Sequence, residues 1–253
     1  MAFGRRKKPG LTTGALSDYR TEDPSAGGRQ TVNVDAAARA LGVSKKAVRD
    51  VIRKSKAKFS DRVLRSLTGR TDADRSDEAN PKGLLQAVFG RGARGGAVNA
   101  KAAADALGVS QGTVRRWAAG TQKPSDEHLS SLRTAARRVT STKRGRKAAA
   151  DEFRKSALGK ASERGGTIYV SVYGYQGPVK ESQTYWRDRT IYQPLDTTDV
   201  QAMLRAYEED GDDGFQRWLT DRGNDYMNEG RYYGQDDIWD FADIHDIKFE
   251  ERP

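Results

Sequence analysis

The chain has no cysteine and only two histidines, His128 and His245, in 253 residues. That excludes a disulfide frame and a thiolate metal site, and it leaves too little imidazole for a histidine-built one. Long apolar runs are missing as well. None approaches the roughly 20 residues of a membrane span, and the mean hydropathy is −0.84. The start, MAFGRRKKPGLTTG, carries a basic cluster with no apolar stretch behind it, which does not read as a secretory signal. No serine or cysteine triad is visible, and Gly211-Asp212-Asp213-Gly214 reads as a turn rather than a phosphate loop. These absences point to a binding protein of the cytoplasm rather than to an enzyme, and no cofactor is expected.

Acid is scarce in the first two thirds of the chain. Residues 1–165 hold 36 Lys/Arg against 16 Asp/Glu, a surplus of 20, whereas residues 166–253 hold 9 against 19, a deficit of 10. A basic half of this strength is the footprint of a phosphate-backbone ligand, with binding that falls steeply as salt rises. The acidic half, which contains most of the aromatics, has a separate task.

The most informative stretch is Val98 to Trp117, VNAKAAADALGVSQGTVRRW. Two helices meeting near a right angle need a small residue at the crossing and a residue free to take positive φ in the turn. Ala104 and Gly108 meet those needs. Leu107, Val109, Val114 and Trp117 are the inward anchors, and Ser110 is placed to cap the second helix. Gln111, Gly112, Arg115 and Arg116 then face outward. In a major groove that face offers Gln111 to a base edge and the arginines to guanine or phosphate. An alanine-rich hairpin with a solvated basic face is the plain alternative.

The same words occur 66 residues earlier. Val32 to Arg49, VNVDAAARALGVSKKAVR, aligns with Val98 to Arg115 without gaps. Ala38 stands for Ala104, Gly42 for Gly108, Val48 for Val114 and Val51 for Trp117. The outward face becomes Lys45, Lys46, Arg49 and Arg53. Two helix-turn-helix modules by duplication explain the match.

Composition and periodicity divide the chain. Residues 1–30 read as a disordered basic arm with Arg5, Arg6, Lys7 and Lys8, and 31–70 as the first module, with Ser60 placed to cap its last helix. Residues 71–80 read as a polar linker and 81–140 as the second module, a four-helix unit whose wording after the motif, G-x-x-K-P-S, resembles phage repressors. Asn80-Pro81 is its start signal. Residues 141–165 read as a basic connector, either a helix laid along DNA or a solvated linker. Residues 166–253 read as an acidic, aromatic-rich domain. There TIYVSVYGY alternates as a strand, a loop runs from Gly177 to Gln183, and a second strand spans about Thr184 to Gln193. Two helices separated by the Gly211–Gly214 turn follow, the first capped by Asp196 or Thr197, and a last strand covers Ile244 to Phe249. The expected fold is α+β: two helical helix-turn-helix modules followed by a small ββααβ domain. Tyr169, Tyr173, Tyr175 and Tyr185 are candidates for a surface that stacks single-stranded bases.

Several words in this order resemble the telomere-protecting terminal proteins of linear actinobacterial chromosomes and plasmids. They are Gly108 to Arg116, the basic segment Arg137 to Arg164, the G-G strand ending in G-Y from Gly165 to Tyr175, the hydroxyl-bearing loop Gly177 to Thr184, and Asp243-Ile244-His245-Asp246-Ile247-Lys248-Phe249. The resemblance covers roughly residues 81–253. It implies covalent attachment to the 5′ end of a linear replicon. A side-chain hydroxyl would accept the first deoxynucleotide while a separate polymerase, holding two metal ions, fills the terminal gap.

The family's acceptor is a threonine in the loop after G-Y, and the gapless count lands on Ser182, with Thr184 as second candidate; the family's paired threonines appear here as Glu181-Ser182. The implied partners are duplex and telomeric DNA, a DNA polymerase and a telomere-associated protein, with a homodimer as a further option and no membrane. Two other readings stay open. One is a transcriptional or plasmid copy-control regulator with a C-terminal dimerisation domain. The other is a nuclease or nucleotidyltransferase using Asp188, Asp243 and Asp246.

Overall fold

The computed structural model describes residues 11–23, 29–76, 78–180, 183–229 and 237–251. It is mixed α and β, mostly helical with two small sheets. Helix α1 (Thr13–Ser17) leads into an antiparallel hairpin, β1 (Arg20–Asp23) with β2 (Arg29–Val32). Helices α2 (Val34–Leu41) and α3 (Lys45–Thr68) follow. Next come α4 (Pro81–Phe89), a 3-10 turn at Ala93–Gly95, α5 (Ala100–Leu107), α6 (Gln111–Ala119), α7 (Asp126–Ser141), α8 (Lys143–Lys155) and α9 (Ala157–Glu163). The chain closes with β3 (Ile168–Lys180), β4 (Gln183–Thr184), β5 (Arg187–Leu195), α10 (Thr197–Glu229) and β6 (Ile238–Glu250).

Local chemistry sets most of the helix starts. Asn80 accepts the Gly83 N–H at 2.8 Å ahead of Pro81, whose missing donor costs nothing at the first helical position. Asp196 and Asp199 bond each other's backbone N–H at 2.8 and 3.2 Å, a reciprocal cap at the start of α10.

The first departure from the sequence reading is α3. Ser60 does not start a helix; it sits buried inside one unbroken helix of 24 residues, about 36 Å long. Between Lys45 and Thr68 there is neither glycine nor proline to interrupt it, and Gly69, at φ 64°, is the first residue able to end it. Its first turns pack with α1, β2 and α2 around Leu16, Ala37, Ala38 and Val48. Its last turns bury Val63, Leu64 and Leu67 in a separate, larger core that runs through α4–α9 to Phe249 of β6. Each of those side chains contributes about 1.5–3 kcal/mol by leaving water.

Three segments that read as an arm, a linker and a connector are packed where they are described. Residues 11–23 contain α1 and β1. Leu16 is fully buried, and Arg20 reaches Asp240 at 2.9 Å and the carbonyls of Phe241 and Ala242. Arg5, Arg6, Lys7 and Lys8 lie outside the described residues. In 71–80, Ala73 and Ala79 are buried, and Arg75 binds Asp61 at 2.6 Å. In 141–165, Ala149, Ala150 and Phe153 of α8 join the main core, while Arg154 binds Glu208 at 2.6 Å. Every one of these polar anchors has its partner far along the chain, out of reach of any local pattern.

In the larger sheet β3 is central. β5 lies antiparallel on one side, extended by β4 in the same register, and β6 lies antiparallel on the other. The stretch expected as a loop, Gly177 to Gln183, is mostly strand, because Gly177, Pro178 and Val179 pair with Asp240, Trp239 and Ile238. The last strand is 13 residues long and begins at Ile238, not Ile244. Gln176, fully buried at a shift in register, has its amide satisfied by the carbonyls of Val172 and Arg189 and by the Trp239 indole N–H at 3.1 Å.

Opposite the sheet, α10 consists of two helical segments that meet at a break at Gly211, which takes φ 63°, ψ −136°. Arg146 donates to the Glu208 and Glu209 carbonyls freed at that break, at 3.0 and 2.7 Å. Among the described residues no helix is long and apolar enough to cross a membrane.

Candidate nucleic-acid interface

The two repeated stretches fold alike at their joints. Asn99 accepts the Ala102 N–H at 3.2 Å to start α5, and Asn33 accepts the Ala36 N–H at 3.0 Å to start α2. Gly108 ends α5 at φ 67° and Gly42 ends α2 at φ 64°, the left-handed region that glycine occupies without Cβ strain. Ser110 and Ser44 then start α6 and α3 by accepting the N–H three residues on, each at 3.1 Å. All three pairs of joints fall at the 66-residue offset. The copies part at Gly120, which ends α6 after nine residues; Lys54 occupies the equivalent position in α3 and lets the helix continue.

Inward, Val114 and Val48 are fully buried. Trp117 is buried with its ring 5.2 Å from His128 of α7, while Leu107, Val109 and Val51 are half-buried. Outward, Gln111, Gly112, Arg115 and Arg116 are all exposed on the first turns of α6. Arg115 bonds Gln111 Oε1 at 3.3 Å, and Arg116 bonds Gln122 Oε1 at 2.8 Å and Thr113 Oγ1 at 3.3 Å. Among the described residues neither arginine has a carboxylate partner, so both guanidiniums keep their full charge toward solvent. Gly112 leaves the backbone of that first turn bare, with only Ser110 Oγ near a would-be Cβ, at 3.6 Å.

The face of α3 differs in electrostatics. Lys45 pairs with Asp35 at 2.9 Å, and Asp50 takes both Lys46 at 3.0 Å and Arg53 at 3.2 Å. Those lysines, chiefly through their hydrogen bonds, hold the Asp35 and Asp50 carboxyls below the usual range. Of the four cations Lys45, Lys46, Arg49 and Arg53, Arg49 alone is exposed without an ion pair among the described residues. The repeat therefore presents one unmasked cationic face, on α6, and one largely neutralised face, on α3.

Of the two hydroxyl candidates, Thr184 is exposed on β4, its residue paired with Val179. Ser182 lies outside the described residues. Next to Thr184, Tyr185 is 49% exposed and donates its hydroxyl to Gln183 Oε1 at 2.9 Å.

Tyr173 and Tyr192, 43% and 47% exposed, stand on the sheet face turned away from α10. Tyr169 and Tyr175 are half-buried. Tyr192 was missing from the aromatic candidates; the alternation of Ile191, Gln193 and Leu195 inward along β5 is the signal that places it outward. The three carboxylates of the enzyme reading are engaged separately: Asp188 lies 3.5 Å from His245, Asp243 4.0 Å from Arg62, and Asp246 2.9 Å from Lys248. Among the described residues no group of three or more His, Asp or Glu side chains is arranged to hold a metal ion.

No protein-family model, curated protein or solved structure matches the chain.

Proposed function

We propose that the chain is a duplex-DNA-binding protein in which α5 and α6 form a helix-turn-helix with α6 as the recognition helix, and α2 and α3 form a second, weaker one. The observation that carries this reading is the α6 face, where a glutamine and two arginines project, with no carboxylate partner among the described residues, from a helix held by Ser110, Gly108 and Trp117. Such a face supplies bidentate donors for guanine, an amide for adenine and charge for phosphate.

Within this reading the chain acts as a terminal protein. The helical modules hold the end of a linear replicon, and the ββααβ domain presents Ser182 or Thr184 as the hydroxyl that a polymerase extends. The protein is then a substrate of that polymerase rather than an enzyme. The exposure of Thr184 supports it, as does the resemblance of the β3 and β6 sequences to that family. Incubation with a labelled deoxynucleotide, a polymerase and telomere-end DNA tests it. Label transferred to the wild type and lost in Ser182→Ala or Thr184→Ala is the expected result. Tight duplex binding without any label favours the regulator reading instead, which draws on the two reading heads sharing one chain.

A further inference from the structure

We propose that the groove between α4, α7 and the first turn of α8 is a second contact surface for the phosphate backbone of duplex DNA, separate from the α6 face; this rests on the duplex-binding reading. Ser131, Thr134 and Arg138 follow one another at helical spacing along α7, on the side opposite the buried Leu132 and Ala136, and they line the groove together with Ser130 and Arg144. Hydroxyls and guanidiniums are the groups that hold phosphate oxygens in a backbone contact, which fixes position without reading sequence. No carboxylate lines this groove among the described residues.

The charges are unmasked, and the backbone that carries them turns through a tight corner. Arg138, Arg144 and the neighbouring Lys143 are exposed and form no ion pair among the described residues, whereas Lys147, one turn along α8, is paired with Asp151 at 3.3 Å. The α7–α8 corner that sets Arg144 beside Arg138 is tight. Thr142 caps α8 through the Gly145 N–H at 3.1 Å, and a Cβ on Gly145 would come within 2.3 Å of the Val139 carbonyl oxygen. Because α4 packs on both α6 and α7, the groove and the α6 face belong to one packed unit, and a duplex seated on α6 has a second charged surface on the same body. The ligand is the polyanionic backbone itself, so the contact is indifferent to sequence.

The test is salt-dependent binding of the full chain to a short duplex of arbitrary sequence, by fluorescence anisotropy, for wild type and R138Q/K143Q/R144Q. The expected result is a slope of log K against log salt shallower by about 2.7 for three lost phosphate contacts, with an unchanged melting temperature. The single variant Arg144→Gln, shallower by about 0.9, carries the same test should the triple variant fold poorly. Slopes equal to wild type in both overturn the groove contact while leaving the α6 reading intact. A wild type with no salt-dependent duplex binding overturns both.

Discussion

Gly174 lies so close to Asp243 across the β3–β6 ladder that a Cβ on the glycine would sit 2.2 Å from the Asp243 carbonyl oxygen. The register shifts at this point, between Tyr173 and Gly174. The two most distinctive words of the C-terminal sequence, the G-Y strand and the D-I-x-x-I-x-F ending, are thus cross-strand partners. Val170 faces Phe249, Val172 faces Ile247, and Gly174 faces Ile244.

Gly174→Ala is therefore expected to cost about 3 kcal/mol, since backbone rather than a flexible side chain must move. Gly108→Ala is the contrast. Nothing lies within 4 Å of a Cβ there, and its cost is the left-handed backbone alone, about 1–2 kcal/mol. Urea denaturation of both variants checks the order.

Breaking the Arg20–Asp240 pair should be costly, because both side chains are only 11% exposed and the arginine ties the N-terminal hairpin to β6. Arg20→Met strands a buried carboxylate and is expected to lose about 3–5 kcal/mol. Adding Asp240→Asn to that variant should restore part of the loss. A double-mutant cycle in urea reads the coupling.

Asp61 and Asp212 lie near one another beside Arg75, with Ser60 close to Asp212. Burial pushes both carboxyls above the usual range against the pull of Arg75. A carboxyl with a raised folded-state pKa contributes stability that is complete below its unfolded value, near 3.8, and fades as pH climbs through the folded value. Asp212→Asn should then raise the melting temperature at pH 8 more than at pH 4, and flatten the decline between them. Thermal melts across that range give the answer.

On the α3 face, Asp50 neutralises Lys46 and Arg53. Asp50→Asn frees two cations and is expected to strengthen duplex binding severalfold at low salt, steepening the salt slope by about 1–2. An anisotropy titration with unchanged slope would show that this face stays off the DNA.

How much of this was legible in the sequence follows from the range of the interactions. The caps at Ser44, Asn80 and Ser110 and the glycine turns at Gly42 and Gly108 depend on neighbours within four residues, and the sequence displays them directly. The alternation of β3 and β5 and the helical spacing of Val200, Met203, Leu204 and Tyr207 are equally local. What the sequence hides is held from afar. The packing of residues 11–23 depends on Asp240, that of 71–80 on Asp61 and Gln86, and that of α8 on the carbonyls exposed by the Gly211 break. Ser60 resembles a cap only until Thr140 and Asp212 are seen to face it across the core. At the site, the cationic faces of the two copies look equivalent as strings of letters; folding reveals that Asp35 and Asp50 pair with three of the four cations on one, while among the described residues no carboxylate pairs with the arginines of the other.

The central claim is that α6 reads duplex DNA, and the most direct measurement is binding of wild type, Gln111→Ala and Arg115→Ala to a duplex selected from a random pool. The account predicts that each variant loses about 1–3 kcal/mol on the selected sequence and much less on an arbitrary one, with an unchanged melting temperature. Equal binding by all three proteins, or equal losses on both duplexes, would contradict it.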